Sequence, residues 1–263
     1  MGRRARLEMV FRLRDGRTTL APAYVEPPLR VSRTLPWRDG VHVMLASSAP
    51  GLFGGDLFEQ HVTVERGARV CLTSQSALQV HPSVSGRPGI IRSTFEIQDD
   101  AELSCYWDPL IPFAASRLMQ QIVVRLAPSA RFIWSDAFMA GRTGSGERWR
   151  FASLGYELRV IRADALEYLE RHRIEPSENG VDTPWIGGEC AYFGTALASG
   201  WTVGDGAAEA VQGVCGDGDG LMAAVDRLLP RLLVARLAAR GGPPFHDARA
   251  RVRALLPATL VGG

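Results

Sequence analysis

The sequence predicts a mainly β protein: a solenoid-like body of stacked β-hairpins, β-helix in type, with a small helical piece at the C-terminus. Three observations predict it. First, three segments share one plan: HVTVERGARVCLTS from His61, TFEIQDDAELSCYW from Thr94 and VVRLAPSARFIWSD from Val123. Each has a β-rich strand, a polar turn, an alanine and a second β-rich strand. Second, the turn alanines Ala68, Ala101 and Ala130 lie 33 and then 29 residues apart, a period expected of stacked units. Third, apolar residues alternate within each first strand, as Val62 with Val64, Phe95 with Ile97, and Val124 with Leu126. Alternation turns one face inward. Hairpins of an ordinary β-sandwich are the competing architecture for the same units.

Taken in order, residues 6–13 and 17–25 read as a first strand pair around the turn at Asp15 and Gly16, because Asp-Gly favours tight hairpins. Residues 29–32 and 41–45 are short strands, with Asp39 and Gly40 as the turn signal. A loop rich in Ser, Pro and Gly follows at 47–55 and ends in Gly54, Gly55 and Asp56. After the three units comes a second glycine-rich loop, 140–147, then strands near 149–151 and 155–161. Segment 164–174 fits either a helix or the return strand of a hairpin turning at Ala163 and Asp164. Residues 190–198 read as a strand. Over 219–239, Leu221, Val225, Leu228 and Leu232 recur at helical spacing. This predicts a helix, kinked by Pro230 and stopped by the Gly-Gly-Pro-Pro run at 241–244. Residues 246–256 form a last basic helix. The domain reading is therefore a β-rich body over 1–218 and a helical segment over 219–263 that packs on the body or on a partner.

The chain has 263 residues, 46% of them hydrophobic and 22% charged, enough for a sizeable core. A net charge of +2 gives no electrostatic case for nucleic acid or a membrane. All 30 basic residues are arginine, which suits bidentate pairing with carboxylates. No apolar run reaches the ~18 residues needed to span a bilayer, and the N-terminus has no secretory pattern. Cys71, Cys105, Cys190 and Cys215 are not closely spaced, so buried free thiols in a cytoplasmic protein are expected.

Familiar chemistry is hard to find. GLFGGD at 51–56 lacks the Lys of a phosphate loop. The five histidines are scattered, with no metal-ligand spacing. Gly144, Ser145 and Gly146 sit in a loop rather than a nucleophile elbow. Asp108 and Asp136 are the carboxylates a carbohydrate-active β-solenoid enzyme would use. That enzyme, or a plain binding module, is the alternative function.

Four motifs in order carry a resemblance. PGLFGGD at 50–56, ARVCLTSQSALQVHPS at 68–83, WDPLIPFAAS at 107–116 and GRTGSGE at 141–147 resemble the urease accessory protein UreD family, also called UreH. YFGTAL at 192–197 is similar to it as well. The resemblance covers roughly residues 20–200. It implies a β-rich, solenoid-like scaffold without enzyme activity, a chaperone of nickel insertion that meets apo-urease, UreF and, through UreF, the GTPase UreG. It implies no stable cofactor, only nickel in transit along an internal polar passage. Asp56, Thr73, Gln75, Asp136 and Glu147 fall where the motifs match and are the expected passage residues. Gly54, Gly55 and Arg142 are expected to shape the loops. Leu221, Val225, Leu228 and Leu232 are expected to form a stripe buried on the body or against UreF.

A glycine pair before Asp56 points to backbone at positive φ, which side chains resist. Gly55→Val is therefore expected to destabilise the protein by roughly 1–3 kcal/mol, read as a fall in melting temperature. An unchanged melting temperature would make the loop a tolerant surface turn.

Overall fold

A computed structural model describes residues 2–181, 183, 187–215, 218, 220–256 and 260–261, without the side chains of 179, 214, 260 and 261. The chain opens with the hairpin β1 (Arg4–Arg14) and β2 (Arg17–Leu20), and β3 (Tyr24–Val25) folds back on β1. At the hairpin turn Asp15 and Gly16 both have positive φ, 49° and 72°. β4 (Leu29–Val31) and β5 (Leu35–Trp37) each pair antiparallel with β6 (Gly40–Ser47). The repeated units then give β7 (Leu57–Val64), β8 (Arg69–Ser74), β9 (Leu78–Val80), β10 (Gly89–Ile97), β11 (Glu102–Tyr106), β12 (Leu110–Pro112), β13 (Arg117–Leu126) and β14 (Arg131–Met139). After them come β15 (Ser153–Arg162), β16 (Ala165–Ile174), the short α1 (Pro176–Asn179), β17 (Tyr192–Ser199), β18 (Thr202–Val203) and α2 (Ala207–Cys215). The chain closes with β19 (Leu221–Leu229), β20 (Leu232–Ala239), α3 (Gly242–Leu255) and β21 (Leu260–Val261), the last paired with β18.

Two sheets face each other. The first runs β16-β15-β13-β10-β7-β1-β2, and the second β19-β20-β17-β14-β11-β8-β6-β4. Successive strands of a unit go to opposite sheets, and each pairs in parallel with its counterpart in the next unit. Thus Thr94 stands beside His61 and Val123 in the first sheet, and Glu102 beside Arg69 and Arg131 in the second. The register offsets are the alanine spacings read from the sequence. The solenoid is present, but its unit is an arch rather than a hairpin. The two strands of a unit meet through side chains across the core, and their backbone groups bond to neighbouring units.

Ala68, Ala101 and Ala130 sit at the arch turns and are fully buried. Beyond them Val62, Phe95, Val124 and Val160 from the first sheet meet Leu72, Leu103, Phe132 and Trp134 from the second. Trp134 is the centre of this packing. Its ring lies 5.8 Å from both Phe95 and Trp107 and 6.0 Å from Phe132.

The C-terminal part departs from the sequence reading in one place. Residues 219–239 were expected to form a helix, yet 221–229 and 232–239 are the hairpin β19 and β20, which extends the second sheet through β17. Its bend is at Pro230 and Arg231, where proline suits a turn better than a helix interior. Leu233, Ala235, Leu237 and Ala239 alternate onto the outer face of the sheet. There α2 and α3 cover them with Val211, Phe245, Ala248 and Val252. The basic helix expected at 246–256 is α3. Gly194 lets α3 come close, because a Cβ there would meet the Phe245 ring at 2.9 Å. Segment 164–174 resolves as the strand β16, with Ala163 and Asp164 at positive φ in the turn. All four cysteines are buried, and Cys71, Cys105 and Cys190 are free thiols. No helix among the described residues is long and apolar enough to cross a membrane.

The packing at Trp134 gives a direct test. Trp134→Ala is expected to lower the unfolding free energy by about 3–5 kcal/mol, measured by denaturant unfolding. A loss under ~1 kcal/mol would mean the aromatic cluster does not hold the sheets together.

Candidate functional site

The inner faces of the sheets are apolar at the arch end and carry polar groups among apolar ones at the other. In the first sheet the rung of Val64, Ile97 and Leu126 gives way to Gln60 beside Ser93, then to Gln120, Tyr156, Glu170 and His172. In the second sheet Val70 and Leu72 give way to Ser74, and Phe132 and Trp134 to Asp136. Asp136 is flanked across the strands by Thr195 and, beyond it, Arg236. Between these surfaces lies a cavity of about 630 Å³. Side chains of this kind keep hydrogen-bonding capacity that a closed apolar core would leave unmet.

The lining is internally bonded. The Tyr156 hydroxyl donates to Asp136 Oδ2 at 2.6 Å, and His172 stacks on Tyr156 with ring centres 4.8 Å apart. Glu170 accepts from Thr195 Oγ1 at 3.1 Å and from the Tyr168 hydroxyl at 2.9 Å. Arg236 Nη2 reaches the same Tyr168 oxygen at 3.3 Å. Ser74 Oγ donates to Asp108 Oδ2 at 3.2 Å and accepts from the Asp108 backbone N–H at 2.8 Å. Ser93 Oγ donates to Gln60 Oε1 at 3.1 Å.

Burial pushes the Asp136 carboxyl up to about 6, with the Tyr156 hydrogen bond opposing and the Glu170 charge adding to the rise. Burial lowers His172, partly offset by Glu170, so its imidazole is neutral at pH 7 and can act as a ligand. At that pH Asp136 is mostly ionised, and a divalent cation beside it would displace the remaining protons. The cavity thus offers carboxylate and hydroxyl oxygens, amides and an imidazole spread along its wall. Among the described residues no three His, Cys, Asp or Glu side chains are gathered to hold a metal ion.

Of the residues expected from the sequence to share one passage, Gln75 and Asp136 border this cavity. Asp56, Thr73 and Glu147 lie elsewhere. Asp56 is 2% exposed and accepts from the Arg3 backbone N–H at 2.8 Å, from Arg3 Nε at 3.1 Å and from the Phe53 N–H at 3.0 Å. Burial alone would raise this carboxyl, but the Arg3 and Phe53 hydrogen bonds outweigh it and hold it below the usual range. Asp56 therefore ties the start of β1 to the glycine loop. In that loop Gly55 has φ +87°, and a Cβ on Gly54 would run into Ser83. Thr73 faces out of the second sheet, where its Oγ1 is 2.8 Å from His42 Nε2. Glu147 pairs with Arg142 and accepts from the Ala114 N–H at 3.0 Å. The Arg142 contact, then the Ala114 N–H, draws Glu147 down to about 2. Arg142 also lies over the Phe113 ring at 4.1 Å.

The stripe of Leu221, Val225, Leu228 and Leu232 does not exist as a helix face. Leu221 and Val225 pack towards the outer cluster, Leu232 is 1% exposed in the inner core, and Leu228 is 51% exposed at the sheet edge. Sequence reading missed Glu170 and His172 as cavity residues. The signal was the alternation Tyr168, Glu170, His172, Ile174, which is a strand's period and not a helix's.

A family model described as UreD urease accessory protein matches residues 3–263. The Deinococcus radiodurans protein called urease accessory protein UreD is 32% identical over 212 residues, 79% of this chain and 75% of that one. The Synechococcus sp. (strain JA-3-3Ab) protein called urease accessory protein UreD 1 is 33% identical over 183 residues, 69% of this chain and 68% of its own length. A Sorangium cellulosum protein called urease accessory protein UreD is 34% identical over 176 residues, 66% of this chain and 55% of its own length.

Asp136 gives a pH-dependent test. Its folded value of about 6 lies above the ordinary 3.8, so the folded state binds this proton more tightly. The contribution to stability is full below the ordinary value and is lost as pH rises through about 6. Asp136→Asn is expected to raise the melting temperature at pH 7 and to flatten the dependence on pH between those values. A variant less stable than the parent at pH 7 would overturn the assignment.

Proposed function

The chain belongs to the UreD urease accessory protein family, and from that membership we propose that it passes nickel ions to apo-urease through the cavity between its sheets. The family gives it a role in urease maturation. The proposal adds a scaffold bound to apo-urease and to UreF, with the GTPase UreG joined through UreF, acting in the cytoplasm as a chaperone rather than as a catalyst. Nickel is cargo here, not a resident cofactor.

The observation that supports the route is the set of polar groups in the otherwise largely apolar wall of the 630 Å³ cavity, with Asp108 and Asp136 facing Glu170 across it. A divalent cation entering a partly dehydrated space is attracted strongly by carboxylates, because attraction scales inversely with the local dielectric. A conduit must also let go. Oxygen donors hold nickel less firmly than thiolates or clustered imidazoles, and each carboxylate here already has a hydrogen-bond partner that can take it back. Asp136 exchanges its proton near neutral pH, so it can meet the ion charged and be left protonated or hydrogen-bonded behind it. The neutral His172 adds a single nitrogen ligand on the facing wall, on the same strand as Glu170.

The test uses the assembled complex. Asp136→Asn and Glu170→Gln, singly and together, are expected to co-purify with apo-urease and UreF as the parent does. Urease activity and urease-bound nickel are expected to fall together, roughly thirtyfold for the double variant if each carboxylate contributes about 1 kcal/mol to the passage. Full nickel loading by the double variant would eliminate the route. Loss of the complex would place these residues in its assembly instead.

A further inference from the structure

On the outer side of the second sheet, α3 and the turn between β5 and β6 enclose a separate pocket of about 400 Å³. Arg38, Arg249 and Arg253 line it, together with Trp37 and Tyr106. Asp108 is the one carboxylate on its wall, and it also borders the inner cavity. Arg249 and Arg253 are four residues apart on α3 and so share a helix face.

These arginines are short of acceptors. Arg249 is 4% exposed and bonds only neutral groups: Ser135 Oγ at 3.3 Å, the Ser135 carbonyl at 3.1 Å and the Trp107 carbonyl. Arg253 buries Nε and Nη2 without any hydrogen-bond partner, its guanidinium 4.9 Å over the Tyr106 ring. Arg38 is exposed at the rim, 4.7 Å over the Trp37 ring. Among the described residues no carboxylate forms an ion pair with any of the three. Burial, followed by mutual repulsion, draws Arg249 down to about 9, and burial lowers Arg253. Both stay charged at neutral pH.

Three guanidinium groups against one carboxylate leave the pocket positive. Buried N–H donors without acceptors are unfavourable, and a charged guanidinium without a counter-charge is more so. Oxygen atoms of an anion satisfy both demands at once, in the fork geometry arginine presents. We propose that this pocket is a binding site for a small oxoanion of the carboxylate or phosphate type, held between Arg38 at the rim and Arg249 and Arg253 below. The aromatic rings under Arg38 and Arg253 keep their forks in place before the anion arrives. The pocket shares only Asp108 with the nickel route and its anion is held by Arg38, Arg249 and Arg253, so either reading can fail without the other.

Arg249 also ties α3 to the sheet, so the test leaves it in place. The full chain is titrated with sodium phosphate, sulfate and acetate at constant ionic strength, with chloride as the control. Binding is followed by calorimetry and melting temperature. At least one anion is expected to bind saturably and to raise the melting temperature. Arg253→Met is expected to weaken it roughly tenfold or more, the loss of one charge-assisted hydrogen bond, and to melt no lower than the parent without anion. Arg38→Gln, at an exposed turn, is expected to weaken binding with the fold intact. Tight acetate binding marks a carboxylate site, and a phosphate preference a phosphate site. No saturable response to any of the three, or equal affinity in both variants, would overturn the proposal.

Discussion

Parallel register governs the inside of this molecule. Each arch places one strand in each sheet, and hydrogen bonds to the neighbouring arches fix which residues share a rung. Gln60 stands beside Ser93, and Cys105 beside both Leu72 and Trp134. Because side chains alternate across a strand, a slip of one residue would turn Asp136 out towards α3 and bring Ser135 in. The buried alanines at the turns enforce the register from one end. A larger residue at the buried Ala101 would overpack the turn.

From that register comes the division along each rung between a dry end and a wet one. The dry end carries Val64, Ile97, Phe132 and Trp134 and holds the sheets together. The wet end carries hydroxyls, amides and carboxylates whose partners lie within the lining itself. Burying Asp136 and Glu170 without partners would be prohibitive. With Tyr156, Tyr168 and Thr195 supplying donors, both carboxylates are tolerated in a space a cation can share. The same economy of charge is incomplete on the outer face. There Arg249 fastens α3 to the carbonyls of the sheet, while Arg253 keeps buried donors without acceptors.

The residues read in error are instructive. Leu221, Val225, Leu228 and Leu232 fit a helical stripe, but Leu221, Ala223 and Val225 also fit a strand, as do Leu233, Ala235, Leu237 and Ala239. Short apolar stretches support both periods. The free edge of β17 decided between them, since a strand pairing there satisfies a row of backbone groups that a helix would leave unmet. Asp56 is a second case. Its place after two glycines marked an unusual residue, and its role is to receive Arg3, a contact across 53 residues that no local pattern signals.

Local chemistry in the sequence determined the β class, the turn at Asp15, the arch spacing and the family motifs. The alanine spacings of 33 and 29 even equal the register offsets, because every arch must bring its turn to the same edge. The tertiary structure alone decided which polar residues share a space. Asp136 and Glu170 come from different sheets, and Arg38 and Arg253 from opposite ends of the chain. Their proximity depends on how the sheets face one another and where α3 lies across them. Periodicity records which way a side chain points within its own element, and carries no record of what stands opposite.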